Sequence, residues 1–464
     1  MRILSAFLLI FLSLSFSTFA QPKPFGPLPT QDQMNWKETE FYFFIHFGPN
    51  TFTNKEWGEG KEDPKIFAPT QLDCNQWARI AKAAGAKGII LTAKHHDGFC
   101  LWPSKFSTHT VRESNWKDGK GDVVRELSEA CRKQGLKFGV YISPWDRNHP
   151  AYGTPAYNDV YISTMRELLT QYGDLFELWW DGANGEGPNG KKQVYDFKRF
   201  QDSVFKWQPH VVIFSDIGPG TRWCGNESGY INETNWNLLD TAGFTRGAGA
   251  PPTDTLNRGN FNGKNWIPAE VDVSIRPGWF YHQEEDSKVK SAAELMKIYL
   301  QSAGRGANLI LNVPPDRRGL INEADSASLV DFGKALKDLN ANNVAMGKKA
   351  VLLENEKSLS ANGLTDGDRK TFVAASIKEP SFEIDLGGVH EIDHVQLMEA
   401  VELGQRVYAF IVDYWDGAAF KAIVSGTTIG YKRILSFRKI NTSKIRINIL
   451  KSKAEPVIAE VEVY

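Results

Sequence analysis

Polar and aromatic side chains close four apolar runs in the first part of the sequence, where they could form a reactive site. They are His46 in the first run, His95 and His96 in the second, Tyr141 in the third, and Trp179, Trp180 and Asp181 in the fourth. Asp181 precedes Gly182, so taken alone it could equally be a turn residue or a helix N-cap. Four run ends of this kind favour one shared site over four unrelated turns.

Glycoside hydrolysis would require a second carboxyl group beside Asp181. Two carboxyl groups normally flank the scissile bond, one as nucleophile or base and the other as acid. The glycine-flanked, aromatic segment 221–229 could carry Glu227 over a pocket. Glu233 and Glu270 compete with Glu227 for this role. The residues alone leave the choice of acid open.

Other chemistries have little support in the sequence. His95, His96 and Asp97 are consecutive, and consecutive residues on a strand point to opposite faces, which does not favour a metal site. The sequence has no HExxH metal-ligand spacing and no GxSxG nucleophile elbow. No glycine-rich phosphate loop directly follows a predicted strand. We therefore expect neither a catalytic metal nor a nucleotide cofactor.

The candidate residues lie in an alternation of apolar runs and amphipathic segments that begins at Phe41. Predicted strands cover 41–47, 88–94, 137–143, 175–180, 211–215, 270–275 and 307–313. Helical periodicity occurs at 72–84, 123–134, 158–172, 193–207 and 292–302, and Ser291 with Glu294 forms a capping box for the last of these helices. With an eighth strand near Trp279, the pattern predicts a (β/α)8 barrel, whose active site lies at the carboxyl ends of the strands. A doubly wound open sheet is the alternative.

A second domain follows the helical segment 329–340. Apolar residues then alternate with polar ones, as in Phe382, Ile384 and Leu386, which indicates short strands with one buried face. The pattern predicts an all-β sandwich. We divide the chain into a barrel over residues 21–346 and a sandwich over residues 347–464.

The first 20 residues are typical of a secretory signal peptide. Met1 and Arg2 precede an apolar run at 3–16, and small residues lead to Ala20. The run is shorter than the roughly 20 apolar residues that span a bilayer. We expect removal of this segment, export to the periplasm or the exterior, and no membrane span afterwards. An N-terminal membrane anchor is the alternative.

Charge and cysteine content exclude several further classes of protein. The chain has 54 basic and 55 acidic side chains, a net charge of -1, so we expect no nucleic-acid partner. Its 14 tryptophans are either core residues or platforms for sugar rings. The four cysteines are widely spaced and form no CxxC metal or redox motif. Cys74 and Cys131 fall in predicted helices and should be buried.

The segments KHHDGF at 94–99 and LWWDG at 178–182, with HFG at 46–48, Glu56-Trp57 and GVY at 139–141, resemble the exported α-L-fucosidases of glycoside hydrolase family 29. The resemblance covers nearly the whole predicted barrel. It implies a retaining enzyme that releases α-L-fucose from fucosylated oligosaccharides or glycoconjugates without a cofactor, with Asp181 as nucleophile. It also implies a set of fucose-binding residues: His46, Glu56, Trp57, His95, His96, Tyr141, Trp179, Arg222 and Trp279.

Members of this family differ at the acid/base. The loop RWCGNE at 222–227 is similar to the branch that cleaves α-1,3 and α-1,4 fucosides in Lewis-type glycans. The resemblance therefore implies that Glu227 is the acid/base, with Glu270 as the fallback, and that simple aryl fucosides are poor substrates. Segments LTDG at 364–367, FEIDLG at 382–387 and YWDG at 414–417 resemble a galactose-binding-like, discoidin-type sandwich. Sugar binding and structural calcium in that domain are open alternatives.

Two other functions are compatible with the same residues. A non-catalytic carbohydrate-binding protein would also use aromatic and histidine side chains, with carboxylates that only accept hydrogen bonds. A barrel glycosidase for another sugar, such as galactose, would keep the two acids. Release of free fucose from a Lewis-type trisaccharide distinguishes both from a fucosidase.

Overall fold

A closed barrel of eight parallel strands forms the first domain. The computed structural model describes residues 22–464, so the predicted signal peptide lies outside the described residues. The barrel strands are β1 (Phe41–Ile45), β2 (Gly88–Lys94), β3 (Lys137–Ile142), β4 (Glu177–Trp179), β5 (Val212–Ser215), β6 (Thr221–Trp223), β7 (Ala269–Ser274) and β8 (Asn308–Asn312). β1 pairs with both β2 and β8, which closes the sheet. The predicted barrel is confirmed, and the open sheet is excluded.

The prediction of an eighth strand near Trp279 is wrong. The missing strand is β6, which pairs with β5 on one side and β7 on the other. It has only three residues, and Arg222 is the central one. A search for apolar runs could not detect such a segment. Trp279 instead lies in the loop between β7 and the following helix.

Nine α-helices lie before, between and after the barrel strands within residues 22–464. They are α1 (Gln31–Lys37), α2 (Pro49–Thr53), α3 (Cys74–Ala83), α4 (Val123–Gln134), α5 (Ala156–Gln171), α6 (Phe197–Trp207), α7 (Thr253–Arg258), α8 (Ala292–Gln301) and α9 (Glu323–Leu339). The capping box of Ser291 and Glu294 is confirmed at the start of α8. Cys74 in α3 and Cys131 in α4 are buried in the barrel core, as predicted. The sequence pattern did not predict α1, α2 and α7, which have seven residues or fewer.

The second domain is an antiparallel β-sheet structure. Its strands are β9 (Lys349–Glu354), β10 (Lys357–Ser360), β11 (Val373–Ala374), β12 (Ser381–Glu399), β13 (Val407–Trp415), β14 (Phe420–Gly426), β15 (Arg433–Ser452) and β16 (Val457–Val463). The alternating residues Phe382, Ile384 and Leu386 point into an apolar core of this domain's own. Within residues 22–464, no helix combines the length and the apolar character that crossing a membrane requires.

The two domains contact each other through buried polar side chains. Lys432 of the second domain lies 2.7 Å from Glu40 at the start of β1. Gln405 accepts a hydrogen bond from the Asn237 backbone and donates one to the Asn235 carbonyl at 2.8 Å. The second domain therefore packs against the amino end of β1 and the loops beyond β6. The opposite end of β1 leads into the candidate site.

Candidate active site

A cavity of about 200 Å³ lies at the carboxyl ends of the barrel strands. This volume is below the roughly 300–1,000 Å³ of pockets for drug-sized ligands, so it suits one sugar ring. Its lining contains four acidic side chains, three histidines, several aromatic rings and no lysine or arginine. The lining residues are Phe44, His46, Glu56, Trp57, His95, His96, Tyr141, Trp179, Asp181, Ala183, Glu227, Asp272 and Trp279.

Asp181 lies two residues beyond β4, with both carboxylate oxygens held by hydrogen bonds. The Tyr141 hydroxyl donates to Oδ2 at 3.1 Å, and the Ala183 backbone N–H donates to Oδ1 at 2.7 Å. His96 Nε2 lies 3.8 Å from Oδ2, which is too long for a direct hydrogen bond. A quarter of the Asp181 side chain is exposed. The carboxylate is thus oriented by protein donors and open to a ligand.

Glu227 faces the same cavity from the loop after β6. Its Oε2 accepts a hydrogen bond from the Trp279 indole N–H at 3.2 Å. Partial burial raises the pKa of Glu227 above its usual value, and the charges of Asp181 and Glu56 act in the same direction. The hydrogen bond from Trp279 opposes them but does not reverse the shift. This environment favours protonated Glu227 more than a solvated position would.

Hydrogen bonds fix the tautomer of His96. The Ser143 hydroxyl donates its only hydrogen to the Trp145 carbonyl at 2.8 Å. It must therefore accept from Nδ1–H of His96, which lies 2.8 Å away. A neutral imidazole with a hydrogen on Nδ1 has Nε2 as an acceptor. His96 therefore presents an acceptor toward Asp181, where a ligand hydroxyl could bond to both.

His46 is held in the same way by Asn312 at the end of β8. The Asn312 amide NH2 donates to the Ser274 hydroxyl at 2.9 Å and to the Trp279 carbonyl at 2.8 Å. Asn312 Oδ1 therefore accepts a hydrogen bond from Nδ1–H of His46 at 2.8 Å. Burial lowers the pKa of His46 to about 3 and lowers the pKa of His95 and His96 as well. All three rings are neutral at neutral pH and supply no cation to the cavity.

Glu56 fixes the loop that carries Trp279. Its carboxylate accepts from the backbone N–H of Trp279 at 2.8 Å and of Phe280 at 3.2 Å. His282 Nε2 lies 2.6 Å from the same carboxylate. Glu56 therefore joins the loop after α2 to the loop after β7, across the mouth of the cavity.

Aromatic rings form the floor and the rim of the cavity. Trp179 stacks on Phe214 with ring centroids 3.8 Å apart and packs against Tyr141 at 5.4 Å. Trp57 is 57% exposed, with its ring edge-on to His96 at 5.7 Å. A rigid floor and an exposed rim ring are suited to holding a sugar with an apolar face.

The structure does not bring Arg222 into the cavity, contrary to the role implied by resemblance. Arg222 is fully buried, and its guanidinium donates to the carbonyls of Leu256 at 2.9 Å, Trp236 at 3.1 Å and Ile267. Burial lowers its pKa to about 9. These three carbonyls belong to the segment between β6 and β7, so the enclosed guanidinium supports that segment and is not available to a sugar.

The two competing glutamates also lie outside the cavity lining. Glu270 is buried inside the barrel, where Tyr42 donates to it at 2.6 Å and the Trp179 indole at 2.8 Å. It lies beneath the floor and supports Trp179. Glu233 has a side chain that is 68% exposed and lies near the second domain. Neither position suits an acid that faces Asp181.

Three lining residues were not predicted as site residues from the sequence, namely Phe44, Ala183 and Asp272. Asp272 is on β7 two residues after Glu270, and the two-residue period of a strand places both on the inner face. Of the two, Asp272 is nearer the carboxyl end of the strand, which is where barrel active sites lie. That spacing was a usable signal. Within residues 22–464, no group of three or more His, Cys, Asp or Glu is arranged to hold a metal ion.

Comparison with known proteins identifies the family. The model of the α-L-fucosidase family, described as "Alpha-L-fucosidase", matches residues 24–341. The chain belongs to the α-L-fucosidase family of glycoside hydrolases. Alpha-L-fucosidase 1 of Arabidopsis thaliana is 39% identical over 457 residues, which cover 96% of this chain and 88% of the relative. Enzymes of this family need no cofactor.

Solved structures of similar proteins extend the likeness over both domains. The crystal structure of SpGH29 has a TM-score of 0.90 and 37% identity and covers 96% of this chain and 99% of its own. The Ruminococcus gnavus GH29 fucosidase in complex with fucose has a TM-score of 0.85 and 30% identity, with 96% of each chain covered. The protein is therefore an enzyme, an α-L-fucosidase, and not a non-catalytic carbohydrate-binding protein.

Replacement of Glu56 by alanine should weaken substrate binding more than turnover. Without the carboxylate, the backbone N–H groups of Trp279 and Phe280 lose their acceptor and the loop is no longer held. We expect KM for a fucoside to rise about tenfold, which corresponds to about 1.4 kcal/mol, with a smaller change in kcat. Steady-state kinetics measure both. Glu59→Ala, which changes an exposed residue of the same loop, is the control. An unchanged KM in Glu56→Ala would show that Glu56 does not hold the loop of Trp279.

Proposed function

We propose that the protein is a retaining exo-α-L-fucosidase in which Asp181 is the nucleophile and Glu227 is the acid/base. The proposal rests on one observation: two carboxyl groups face a single cavity of monosaccharide size, and their environments differ. Asp181 is held by two hydrogen-bond donors, whereas partial burial and nearby negative charge favour a proton on Glu227. A nucleophile and an acid require this difference.

In the first step, Asp181 Oδ2 or Oδ1 attacks the anomeric carbon of a terminal α-L-fucosyl unit. The bond from that carbon to the glycosidic oxygen breaks, and Glu227 transfers its proton to the departing oxygen. The product is a fucosyl ester of Asp181. Tyr141 donates a hydrogen bond to the attacking carboxylate and fixes its orientation.

In the second step, Glu227 acts as a base. It takes a proton from a water molecule, whose oxygen attacks the anomeric carbon and breaks its bond to Asp181. Fucose leaves with its original configuration because the centre has been inverted twice. A retaining enzyme of this kind predicts the two carboxyl groups about 5–5.5 Å apart in the complex with substrate.

The cavity lining supports fucose as the sugar. Fucose has a methyl group where other hexoses have a hydroxymethyl group, so its site needs an apolar wall. Phe44, Trp179 and Trp279 provide aromatic surface, and the acceptor nitrogens of His46 and His96 suit the sugar hydroxyls. The fucose complex of the Ruminococcus gnavus relative agrees with this choice over galactose.

We also propose a preference for α-1,3 and α-1,4 linkages in branched, Lewis-type glycans. The support is the similarity of the loop 222–227 to that branch of the family, together with the exposed rim ring of Trp57 beside the cavity. A neighbouring galactose would lie at this rim.

Export through the N-terminal signal peptide is a further proposal, which rests on the sequence of residues 1–20. Mass spectrometry of the mature protein from its native host tests it. A chain that begins near Gln21 would support export, and an intact Met1 would contradict it.

Asp181→Ala should abolish turnover and leave the fold intact. Loss of a nucleophile lowers kcat by about 10³-fold or more, whereas a partly exposed cavity carboxylate contributes little to the core. Initial rates with a fucosylated trisaccharide and chemical denaturation measure the two effects. Asp174→Ala, an exposed aspartate just before β4, is the matched control. Near-normal turnover in Asp181→Ala would show that another group attacks.

Glu227 should set the alkaline limit of activity. Because only protonated Glu227 can act as acid, activity is present below its pKa and is lost as the pH rises through it. The raised pKa places this limit above the ordinary glutamate value of about 4.3. In Glu227→Gln, we expect kcat/KM to fall by about 10²–10⁴-fold for poor leaving groups and the limit to disappear.

The pH profile of kcat/KM with a Lewis-type substrate measures this effect. A fucosyl fluoride, whose leaving group needs little protonation, should be affected much less by Glu227→Gln. Glu233→Gln is the control, since that glutamate competed for the role in the sequence. An unchanged pH profile in Glu227→Gln, or a loss of activity in Glu233→Gln alone, would overturn the assignment.

Linkage preference and stereochemistry can be measured together. We expect kcat/KM for α-1,3 or α-1,4 fucosylated trisaccharides to exceed that for an α-1,2 fucoside or an aryl fucoside by at least about tenfold. Proton NMR during hydrolysis should show α-fucose before mutarotation. Initial formation of β-fucose would exclude double displacement, and a preference for the α-1,2 linkage would exclude the proposed branch.

A further inference from the structure

Asp272 is an acidic residue of the cavity that the proposed mechanism does not use. It lies on β7, on the inner face of the barrel that also contains Glu270 and Ser274. The residue is only 3% exposed, yet it belongs to the cavity lining. Buried carboxyl groups are uncommon unless they are paired or have a function.

One oxygen of the Asp272 carboxyl group is held by a side chain, and no second side chain holds the other. The Trp223 indole N–H donates to Oδ1 at 3.0 Å. Among residues 22–464, Trp223 is the only side chain that donates a hydrogen bond to this carboxyl group. Because the indole fixes the first oxygen, the second is the atom that a molecule in the cavity would meet.

The groups around Asp272 are neutral or negatively charged. From the β6 side it faces Cys224 and Glu227, and from its own strand Glu270. On β8, its register partner is Ile310. Across the cavity lie the carboxylates of Asp181 and Glu56 and the three neutral histidines. No ion pair joins Asp272 to a Lys, Arg or His in the part of the chain that the structure describes.

These surroundings determine which form of the carboxyl group is stable. Burial and then the charge of Glu227 raise the pKa of Asp272 well above its usual value. Hydrogen bonds from the Asp272 backbone N–H and from Trp223 oppose this effect but do not reverse it. A neutral carboxyl group has one O–H donor and one C=O acceptor. Trp223 occupies the acceptor, which leaves the O–H for the cavity.

We propose that Asp272 is a fucose-binding residue that acts as a carboxylic acid, with its O–H donating a hydrogen bond to an oxygen atom of the bound sugar. The inference rests on the proposed function, because it requires fucose in this cavity. His46 and His96 offer acceptors to sugar hydroxyls, so a donor on the β7 side gives the site complementary polarity. A neutral Asp272 also avoids a further negative charge beside Glu227.

Fucose affinity as a function of pH tests the inference, because the product binds without reacting. Asp272→Asn is a matched neutral variant, whose amide oxygen can accept from Trp223 while its NH2 group donates to the sugar. Asp272→Leu has similar size but no donor. Isothermal titration calorimetry with L-fucose from about pH 5 to pH 9 compares both variants with the wild type, and thermal unfolding verifies that each is folded.

We expect Asp272→Leu to bind fucose at least about tenfold more weakly than the wild type at pH 6 and Asp272→Asn to recover affinity to within about threefold. At alkaline pH, wild-type affinity should fall as Asp272 loses its proton and the donor disappears. That step should be absent in Asp272→Asn. Asp254→Asn, which changes an exposed aspartate of α7 outside the cavity lining, should keep the wild-type dependence.

The opposite results overturn the inference. A loss of tenfold or more in Asp272→Asn would mean that the sugar requires an ionised acceptor. Equal affinity in the wild type and both variants would mean that Asp272 does not touch fucose. If Asp272→Leu fails to fold, the pH dependence of fucose affinity in the wild type and in Asp272→Asn still tests the inference. A wild-type protein that neither binds fucose nor releases it from any fucoside overturns the proposed function, and this inference with it.

Discussion

Four carboxyl groups share one small cavity that no lysine or arginine lines, and the rest of the site depends on how their protons are distributed. Four carboxyl groups around so small a cavity cannot all be ionised without a large electrostatic cost, because their negative charges repel one another. Glu56 faces His282 and backbone N–H groups, and Asp181 faces Tyr141 and Ala183. For the other two, burial favours the protonated form. The fold thus gives acids of one chemical type different environments.

Hydrogen bonds that run between strands and loops fix the positions of these acids. Asn312 on β8 joins His46, Ser274 and the Trp279 carbonyl, while Glu56 holds the Trp279 backbone N–H from the other side. Trp279 in turn donates to Glu227. The acid loop is therefore positioned by residues from distant parts of the sequence. Such a connection explains why a closed barrel, which brings all strand ends together, suits this chemistry.

The strongly periodic parts of the sequence predicted the fold, and the resemblance predicted most of the cavity. β6 was missed because its central residue, Arg222, is charged, and a charged residue interrupts an apolar run. The hydropathy of the sequence does not show that three backbone carbonyls accept hydrogen bonds from this arginine and allow it to be buried. The hydrogen bonds to these carbonyls also keep the Arg222 guanidinium out of the cavity. Asp272 was missed for a different reason. Its strand was predicted, and its two-residue spacing from Glu270 indicated the inner face of the barrel. The spacing does not give the depth at which a residue reaches the cavity, because that depth depends on strand stagger.

The central claim is that Asp181 forms a covalent bond with fucose. A 2-deoxy-2-fluoro-fucosyl fluoride tests it most directly, since the fluorine slows hydrolysis of the intermediate and the reactive leaving group still allows it to form. Peptide mass spectrometry of the inactivated protein should locate one fluorofucosyl group on Asp181. A label on Glu227, Asp272 or Glu56, or an unlabelled protein that continues to turn over substrate, would contradict the account.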